Sequence, residues 1–189
     1  KNIVRADNKV KGVSLSVRRG EILGIGGLVG AGRSELVEGI FGMHELASGE
    51  IFVKGKQVKV HSPKDIIKEG VALITEDRKV TGLNLSGSVN DNIAMVAIKK
   101  LLSHGLYNKG KARAASMEYI KKLNIKTPSG DQIAGNLSGG NQQKIVIAKW
   151  LLNDPDVIIL DEPTRGIDVG AKRDIYLLLM CKLIDWESL

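Results

Sequence analysis

The sequence predicts an α/β fold with a mostly parallel core sheet, a small antiparallel β part and an inserted helical subdomain. Two apolar segments are typical of strands: Glu21–Gly26, which a glycine-rich loop follows, and Val157–Leu160, which an Asp-Glu pair follows. Helical patterns alternate with such strands, which favours a parallel sheet covered on its faces. We expect three parts: residues 1–85 begin the core, 86–136 form the helical subdomain, and 137–189 end the core.

The individual elements follow from apolar runs bounded by turn and breaker residues. Strands are expected at Val13–Val17, Glu21–Gly26, Gly49–Val53, Val58–Val60 and Val71–Thr75, the third and fourth forming a hairpin. Pro63 begins a short helix that Gly70 ends. Two amphipathic helices lie between Ser88 and Asn124, a further helix runs from Ser138 to about Leu152, and a final helix begins near Gly170.

The composition is that of a globular domain, with 43% hydrophobic residues and only 4% aromatic residues. A formal net charge of +7 permits nucleic-acid or anionic-lipid binding, but the basic residues are scattered, which favours an ordinary solvated surface and no nucleic-acid partner. The single cysteine, Cys181, excludes an internal disulfide and suits a reducing cytosol. Apolar runs are too short to span a bilayer, so we expect no transmembrane segment.

The glycine-rich loop has the spacing of a phosphate-binding loop, with one departure. Its backbone N–H groups and the following helix N-terminus suit an anion, and the residues expected to contact it are Gly27, Gly30, Ala31, Gly32, Arg33, Ser34 and Glu35. The G-x-x-x-x-G-K-[ST] pattern is met except that Arg33 replaces the lysine. Arg33 either holds a phosphate through its planar guanidinium or folds towards a carboxylate such as Glu35, and a ligand-free glycine turn is the alternative.

An acidic pair ends the apolar strand at Val157–Leu160. Asp161 at the carboxyl end of the strand is the expected Mg²⁺ ligand, together with the Ser34 hydroxyl. Glu162 suits general-base catalysis on an attacking water, and the alternative is an acidic strand end that caps the next turn.

The sequence Leu137-Ser138-Gly139-Gly140 opens a helix with a second set of free amides. Ser138 stands at the expected N-cap, which by itself indicates only a well-capped helix. In a nucleotide-binding fold, the turn is a second anion site for a phosphate bound by another subunit or domain, which implies dimeric pairing.

Together these segments resemble the ATPase domain of ABC transporters. More narrowly, GLVGAGRSEL, TEDRK followed by TGL, LSGGNQQK and DEPTRGIDVGAK are similar to the C-terminal cassette of the tandem-cassette ATPases of bacterial sugar importers, the ribose, galactose, xylose and arabinose group. The resemblance implies binding of ATP and Mg²⁺, a second cassette as partner, and a position on the cytoplasmic, inner face of the cell membrane. Closure of two cassettes would then drive a membrane permease that contacts the region near Glu76–Leu85.

The resemblance also implies roles for particular residues. Glu76 falls where most such ATPases have the glutamine that senses Mg²⁺, Glu162 matches the catalytic glutamate, and Asp168 matches the aspartate of the interdomain loop. Ser138, Gly139 and Gly140 match the signature turn that would complete the partner's site.

Departures from the family pattern leave alternatives open. The lysine of the phosphate loop is absent, no aromatic residue precedes Phe41, and no histidine follows His104. We therefore expect a domain truncated before the switch histidine, with weak or absent hydrolysis and with its sheet opened or repaired by the tail Leu177–Leu189 or by a neighbouring chain. The alternatives are a binding-only regulatory cassette and a non-transport ABC ATPase acting on DNA or ribosomes, which the short helical insertion argues against.

Overall fold

The computed structural model describes residues 1–170, 172, 173 and 175–177. Two compact units are present: one contains residues 1–73 and 156–161, and the other contains residues 74–155 and the described positions from 162 onwards. The expectation for the tail therefore falls, apart from Leu177, outside the described residues.

The first unit is built around a small antiparallel sheet. Strand β1 (Ile3–Arg5) lies between β2 (Lys11–Val13) and β3 (Leu46–Ser48). Helix α1 (Arg33–Ile40) contacts β1, and the side chains of Ile3, Val10 and Leu36 form the core between them. The guanidinium of the buried Arg5 donates to the Glu35 carbonyl at 3.0 Å, which fixes β1 to the first turn of α1.

A hairpin and a short helix are present where they were predicted, but the second strand of the hairpin was expected at Val58–Val60 and lies two residues earlier, at Lys56–Val58. Strands β4 (Ile51–Val53) and β5 (Lys56–Val58) pair antiparallel across the turn at Lys54 and Gly55, where Lys54 has a φ of 51° and Gly55 a φ of 78°. Helix α2 (Pro63–Lys68) begins with a capping box in which Ser62 and Asp65 bond reciprocally. The turn after α2 leads into β6 (Val71–Ile74), which pairs with β9 (Val157–Leu160).

The strands predicted at Val13–Val17 and Glu21–Gly26 are wrong. Apart from Val13, which ends β2, these segments form no strand ladder in the described part of the chain. Their apolar side chains stay accessible, with Ile22 63% and Ile25 42% exposed. An apolar run predicts a strand only where a neighbouring strand supplies hydrogen bonds, and none pairs with this segment among the described residues.

The second unit is helical and contains the whole of the predicted subdomain at 86–136. Helices α3 (Val89–Ala94), α4 (Lys109–Lys122) and α5 (Gly139–Leu152) pack on one another. A two-stranded hairpin of β7 (Leu102–Ser103) and β8 (Leu106–Tyr107) precedes α4. The predicted extent of α5 is confirmed, and helical backbone is present at 169 and 170, as expected near Gly170. In the part of the chain that the structure describes, no helix is long and apolar enough to cross a membrane.

Candidate functional site

The glycine-rich loop reaches α1 through two left-handed residues. Gly30 has a φ of 81° and Gly32 a φ of 83°, a region that side chains disfavour. Between them, the N–H of Ala31 donates to the carbonyl of Leu28 at 3.0 Å. The first intrahelical bond runs from the N–H of Leu36 to the carbonyl of Gly32, at 2.9 Å. The amides of Arg33, Ser34 and Glu35 thus precede the first intrahelical hydrogen bond, as an anion site requires.

Arg33 packs back over this loop. A Cβ at Gly27 would lie 3.5 Å from the Cδ of Arg33 and 3.1 Å from the Cβ of Ala31, so the stem of the arginine covers Gly27 closely. Ser34, next in the helix, is half-buried. Arg33 therefore lies against the same loop that the lysine of the usual pattern would contact, and it carries a longer side chain with a planar guanidinium.

Glu35 has a basic neighbour that the sequence analysis missed. The ammonium of Lys9 lies 3.8 Å from the Glu35 carboxylate, and the Lys9 carbonyl lies 3.1 Å from where a Cβ at Gly32 would stand. Lys9 is 23 positions from Gly32 and 26 from Glu35 in the sequence, so no local pattern indicates this contact. The negative charge of Glu35, in the first turn of the candidate anion site, is thus partly balanced by Lys9.

The acidic pair follows β9 directly, as predicted. Asp161 is half-buried and is the first residue after the strand. Glu162 is exposed and has a left-handed φ of 43°, and its carbonyl accepts from the N–H of Arg165 at 3.0 Å. Such a conformation in a residue other than glycine costs free energy and occurs often at functional sites. Ser34 and Asp161 belong to the first unit, whereas Glu162 and Asp168 belong to the second.

Ser138 occupies the N-cap position of α5, with a φ of −60° and a ψ of 155°. Its hydroxyl makes no capping bond to the helix backbone and instead accepts from the Asn141 side chain at 2.9 Å. Gly139 and Gly140 follow as the first helical residues. The Ser138 hydroxyl therefore accepts a hydrogen bond from the Asn141 side chain and caps none of the backbone amides in the first turn of α5.

Two polar residues of α5 hold the signature turn, and the sequence analysis did not assign them a role. The side-chain amide of Gln142 donates to the carbonyls of Ala134, Gly135 and Leu137 at 3.0–3.3 Å. The side-chain Oδ1 of Asn141 accepts from the backbone N–H of Lys126 at 2.8 Å. Polar side chains on an otherwise apolar helix are the signal that points to them, because a buried amide needs partners.

Glu76 forms an ion pair with Arg165 in this structure. The following Asp77 accepts from the N–H groups of Lys79 and Val80, at 2.8 and 3.2 Å, and caps a π-helical turn at Arg78–Gly82. Glu76 belongs to the second unit, unlike Ser34 and Asp161, with which it was predicted to bind magnesium. A magnesium role for Glu76 stays a prediction.

The residues present fit a nucleotide with magnesium. Mg²⁺ in such sites takes one or two protein oxygens and completes its shell with phosphates and water, and Ser34 and Asp161 supply a hydroxyl and a carboxylate. Residues 1–170 and the described positions beyond them contain no group of three or more His, Cys, Asp or Glu side chains placed to hold a metal ion.

A glycine loop opening a helix, an acidic strand end and a second glycine turn are the parts of a nucleotide-binding cassette. The family model described as ABC transporter matches residues 10–165, and the chain belongs to that family.

Curated relatives at high identity are sugar-import proteins. The chain is 52% identical over 173 residues to the ribose import ATP-binding protein RbsA of Clostridium tetani, with 91% of this chain and 34% of that protein covered. It is 50% identical to the xylose import ATP-binding protein XylG of Thermoanaerobacter pseudethanolicus, with 98% of this chain and 38% of that protein covered. The chain thus spans about a third of the length of the curated relatives it matches.

Solved structures confirm the predicted fold class. The dimeric structure of MJ0796, a bacterial ABC transporter cassette, superposes with a TM-score of 0.79 at 22% identity, covering 98% of this chain and 82% of that one. The cassette cbiO1 of Clostridium perfringens, part of the ABC transporter complex cbiONQ, gives a TM-score of 0.73 at 26% identity, with 97% and 73% covered.

Proposed function

We propose that this chain is an ATP-binding cassette of a bacterial importer for simple sugars, equivalent to the C-terminal cassette of a tandem-cassette ATPase. Its identity to the ribose and xylose import proteins supports the sugar class. The motifs TEDRK, LSGGNQQK and DEPTRGIDVGAK support the C-terminal position. The proposed location is the cytoplasmic face of the membrane, beside a permease that contacts the region near Glu76–Leu85.

The position of Arg33 is the observation that carries the proposal. Its stem covers Gly27, and the loop that it covers leads into the first turn of α1. A guanidinium on this stem supplies a positive charge and forked donors to the phosphates, in place of the ammonium. Gly27, Gly30, Ala31, Gly32 and Glu35 belong to this phosphate site together with Arg33 and Ser34.

Magnesium would be held by Ser34 and Asp161, with Glu76 as a further contact. The metal supplies charge neutralisation between the phosphates. Glu162 would orient and deprotonate the attacking water. The left-handed backbone of Glu162, with a φ of 43°, is a strained conformation of the kind that is common at functional sites, which supports this role.

The signature turn is proposed to serve the other cassette. Ser138, Gly139 and Gly140 would offer the first amides of α5 to a phosphate held there, and Asp168 would lie in the loop between the two cassettes. The uncapped amides at Ser138 support this role, because a turn that binds an anion must leave its donors available.

Equilibrium binding of ATP with and without Mg²⁺ tests the phosphate site. We expect micromolar binding by the wild-type chain and its loss, by about tenfold or more, in Arg33→Ala, since a charge-assisted contact is removed. Arg19→Ala, which removes an exposed arginine of the same unit, is the matched control. Equal affinity of the Arg33→Ala and Arg19→Ala variants would contradict the role of Arg33, and absence of binding in the wild type would contradict the nucleotide site.

A binding-only regulatory cassette is the second candidate, favoured by the arginine in place of the loop lysine. The two candidates differ in turnover. Phosphate release by the complete protein that falls in Glu162→Gln supports the hydrolytic cassette. ATP binding without any release of phosphate supports the regulatory one.

A further inference from the structure

Arg78 lies where three segments of the second unit meet. Its Nε donates to the side-chain oxygen of Gln142 on α5, at 3.3 Å. Its terminal nitrogens donate to the carbonyls of Arg165 and Gly166, at 3.1 and 3.5 Å. One half-buried guanidinium thus joins the turn at 78–82 to α5 and to the turn that precedes Asp168.

The contact with Gln142 extends to the signature turn. The nitrogen of the same Gln142 amide donates to three carbonyls just before Ser138, so the amide has partners on both its oxygen and its nitrogen. Gln142 is only 5% exposed, and a buried amide with satisfied bonds has one favoured orientation. Moving Arg78 therefore disturbs the support of the signature turn.

The guanidinium also lies directly against the signature glycine. A Cβ at Gly139 would stand 2.7 Å from a terminal nitrogen of Arg78 and 3.4 Å from the Gly166 carbonyl. The absence of a side chain at Gly139 is what admits the arginine to this position. The first helical residue of α5 and the turn at 165–166 are thus spaced by the planar arginine head.

A second link joins the same two segments. Glu76, two residues before Arg78, forms an ion pair with the Arg165 side chain, while Arg78 bonds the Arg165 carbonyl. Segment 76–78 therefore contacts both the side chain and the backbone carbonyl of Arg165. These contacts connect segment 76–78 to the turn before Asp168 and, through Gln142, to the backbone just before Ser138.

We propose that Arg78 is a positioning residue that holds the signature turn and the turn before Asp168 in one geometry with the segment at 76–78. The inference rests on the proposed function, in which 76–85 faces the permease and the signature turn meets the other cassette's nucleotide. The forked geometry is essential, because an ammonium on a lysine stem cannot bond Gln142 and both carbonyls together. Arg78→Lys keeps the positive charge near α5 and thereby separates geometry from electrostatics.

Amide hydrogen exchange of this chain tests the positioning without any nucleotide. The reporters are the amides of Gln142, bonded to the Ser138 carbonyl, and of Arg165, bonded to the Glu162 carbonyl. We expect exchange at both to be about tenfold faster in Arg78→Lys and Arg78→Ala, since removing charge-assisted bonds weakens their support. The matched control is Arg113→Ala, which breaks an exposed ion pair with Asp131 on the same unit and should leave both amides unchanged.

Turnover in the complete protein supplies the functional readout. We expect both Arg78 variants to lower the rate of ATP hydrolysis by about tenfold, with ATP affinity within about twofold of the wild type, because the chain's own phosphate loop is in the first unit. Exchange and turnover in Arg78→Lys equal to those of the wild type would overturn the proposal. So would accelerated exchange spread evenly over α4 and α5, which indicates general destabilisation. If the wild-type protein does not bind ATP, the proposed function is contradicted. The role of Arg78 is then decided by the hydrogen-exchange result, which needs no nucleotide.

Discussion

Burial of Lys149 makes the free energy of unfolding rise at alkaline pH, and one substitution removes this pH dependence. Its side chain is 5% exposed, and its ammonium donates to the Gly82 carbonyl at 2.5 Å. Burial lowers the pKa of Lys149 from 10.5 to about 8. The unfolded chain therefore holds a proton on this amine between about pH 8 and 10.5 that the folded chain has released, so the free energy of unfolding rises with pH over this window.

The size of the rise follows from the pKa difference. At ~1.4 kcal/mol per pH unit, the depression corresponds to about 3 kcal/mol gained between pH 8 and 10.5. Replacing Lys149 by methionine, of similar length, removes this gain and abolishes the cost of a buried charge at neutral pH. Since the Gly82 contact is lost as well, we expect the variant to be about 2 kcal/mol more stable than the wild type at pH 7.

Urea unfolding at a series of pH values measures the effect. Fluorescence of Trp150 in a Trp186→Phe background reports on α5, next to Lys149. Burial also raises the pKa of Tyr119, which lowers stability above about pH 10, so the difference between wild type and Lys149→Met is the quantity to follow. Lys126→Met, at an exposed lysine of the same unit, is the control. If the Lys149→Met and Lys126→Met curves both parallel the wild type from pH 8 to 10, the buried amine does not control this stability.

Three further substitutions test the core, a buried hydroxyl and a helix cap. Ile93→Ala, at a fully buried position of α3, should lower the free energy of unfolding by about 3 kcal/mol, measured in urea titrations. Its control, Ile98→Ala, changes a side chain that is 48% exposed and should alter this free energy by less than ~0.5 kcal/mol. Equal losses in the two variants would contradict the packing described. Tyr119→Phe removes the 3.0 Å hydrogen bond to the Leu151 carbonyl and should lower the free energy of unfolding by about 1 kcal/mol. The control is Tyr107→Phe, on the exposed β8, and equal stability of the two variants would refute the role of the Tyr119 hydroxyl. Hydrogen bonds from the His61 N–H and from Ser62 lower the pKa of Asp65 below 3.8, so the Asp65 carboxylate stabilises the folded state above that pH and this stabilisation is lost below it. Asp65→Asn should therefore make the melting temperature fall less as the pH is lowered. The same fall at acid pH in Asp65→Asn and in the wild type would argue against the cap.

Local signals predicted those elements whose ends carry turn or cap chemistry. The helix that Pro63 begins forms as predicted, and a hairpin forms at 51–58 with its second strand two residues earlier than expected, because Gly55 and the pair of Ser62 and Asp65 act within a few residues. The segment Glu21–Gly26 has equally good apolar residues and forms no strand here, since a strand requires hydrogen bonds from a neighbour that the local pattern does not specify.

Residue types and spacings were enough to predict the family and the order of the chemical parts: the glycine loop before α1, the acidic pair after β9 and the glycine turn before α5. Each depends on residue types at short fixed spacings, which fix backbone conformation and the nearest donors. Three contacts became visible only in the folded chain: Arg78 reaches Gln142, 64 residues away, Lys9 faces Glu35, and Lys149 is buried against Gly82. Such contacts arise from packing of distant segments, and many sequences with the same local patterns would place those charges in solvent.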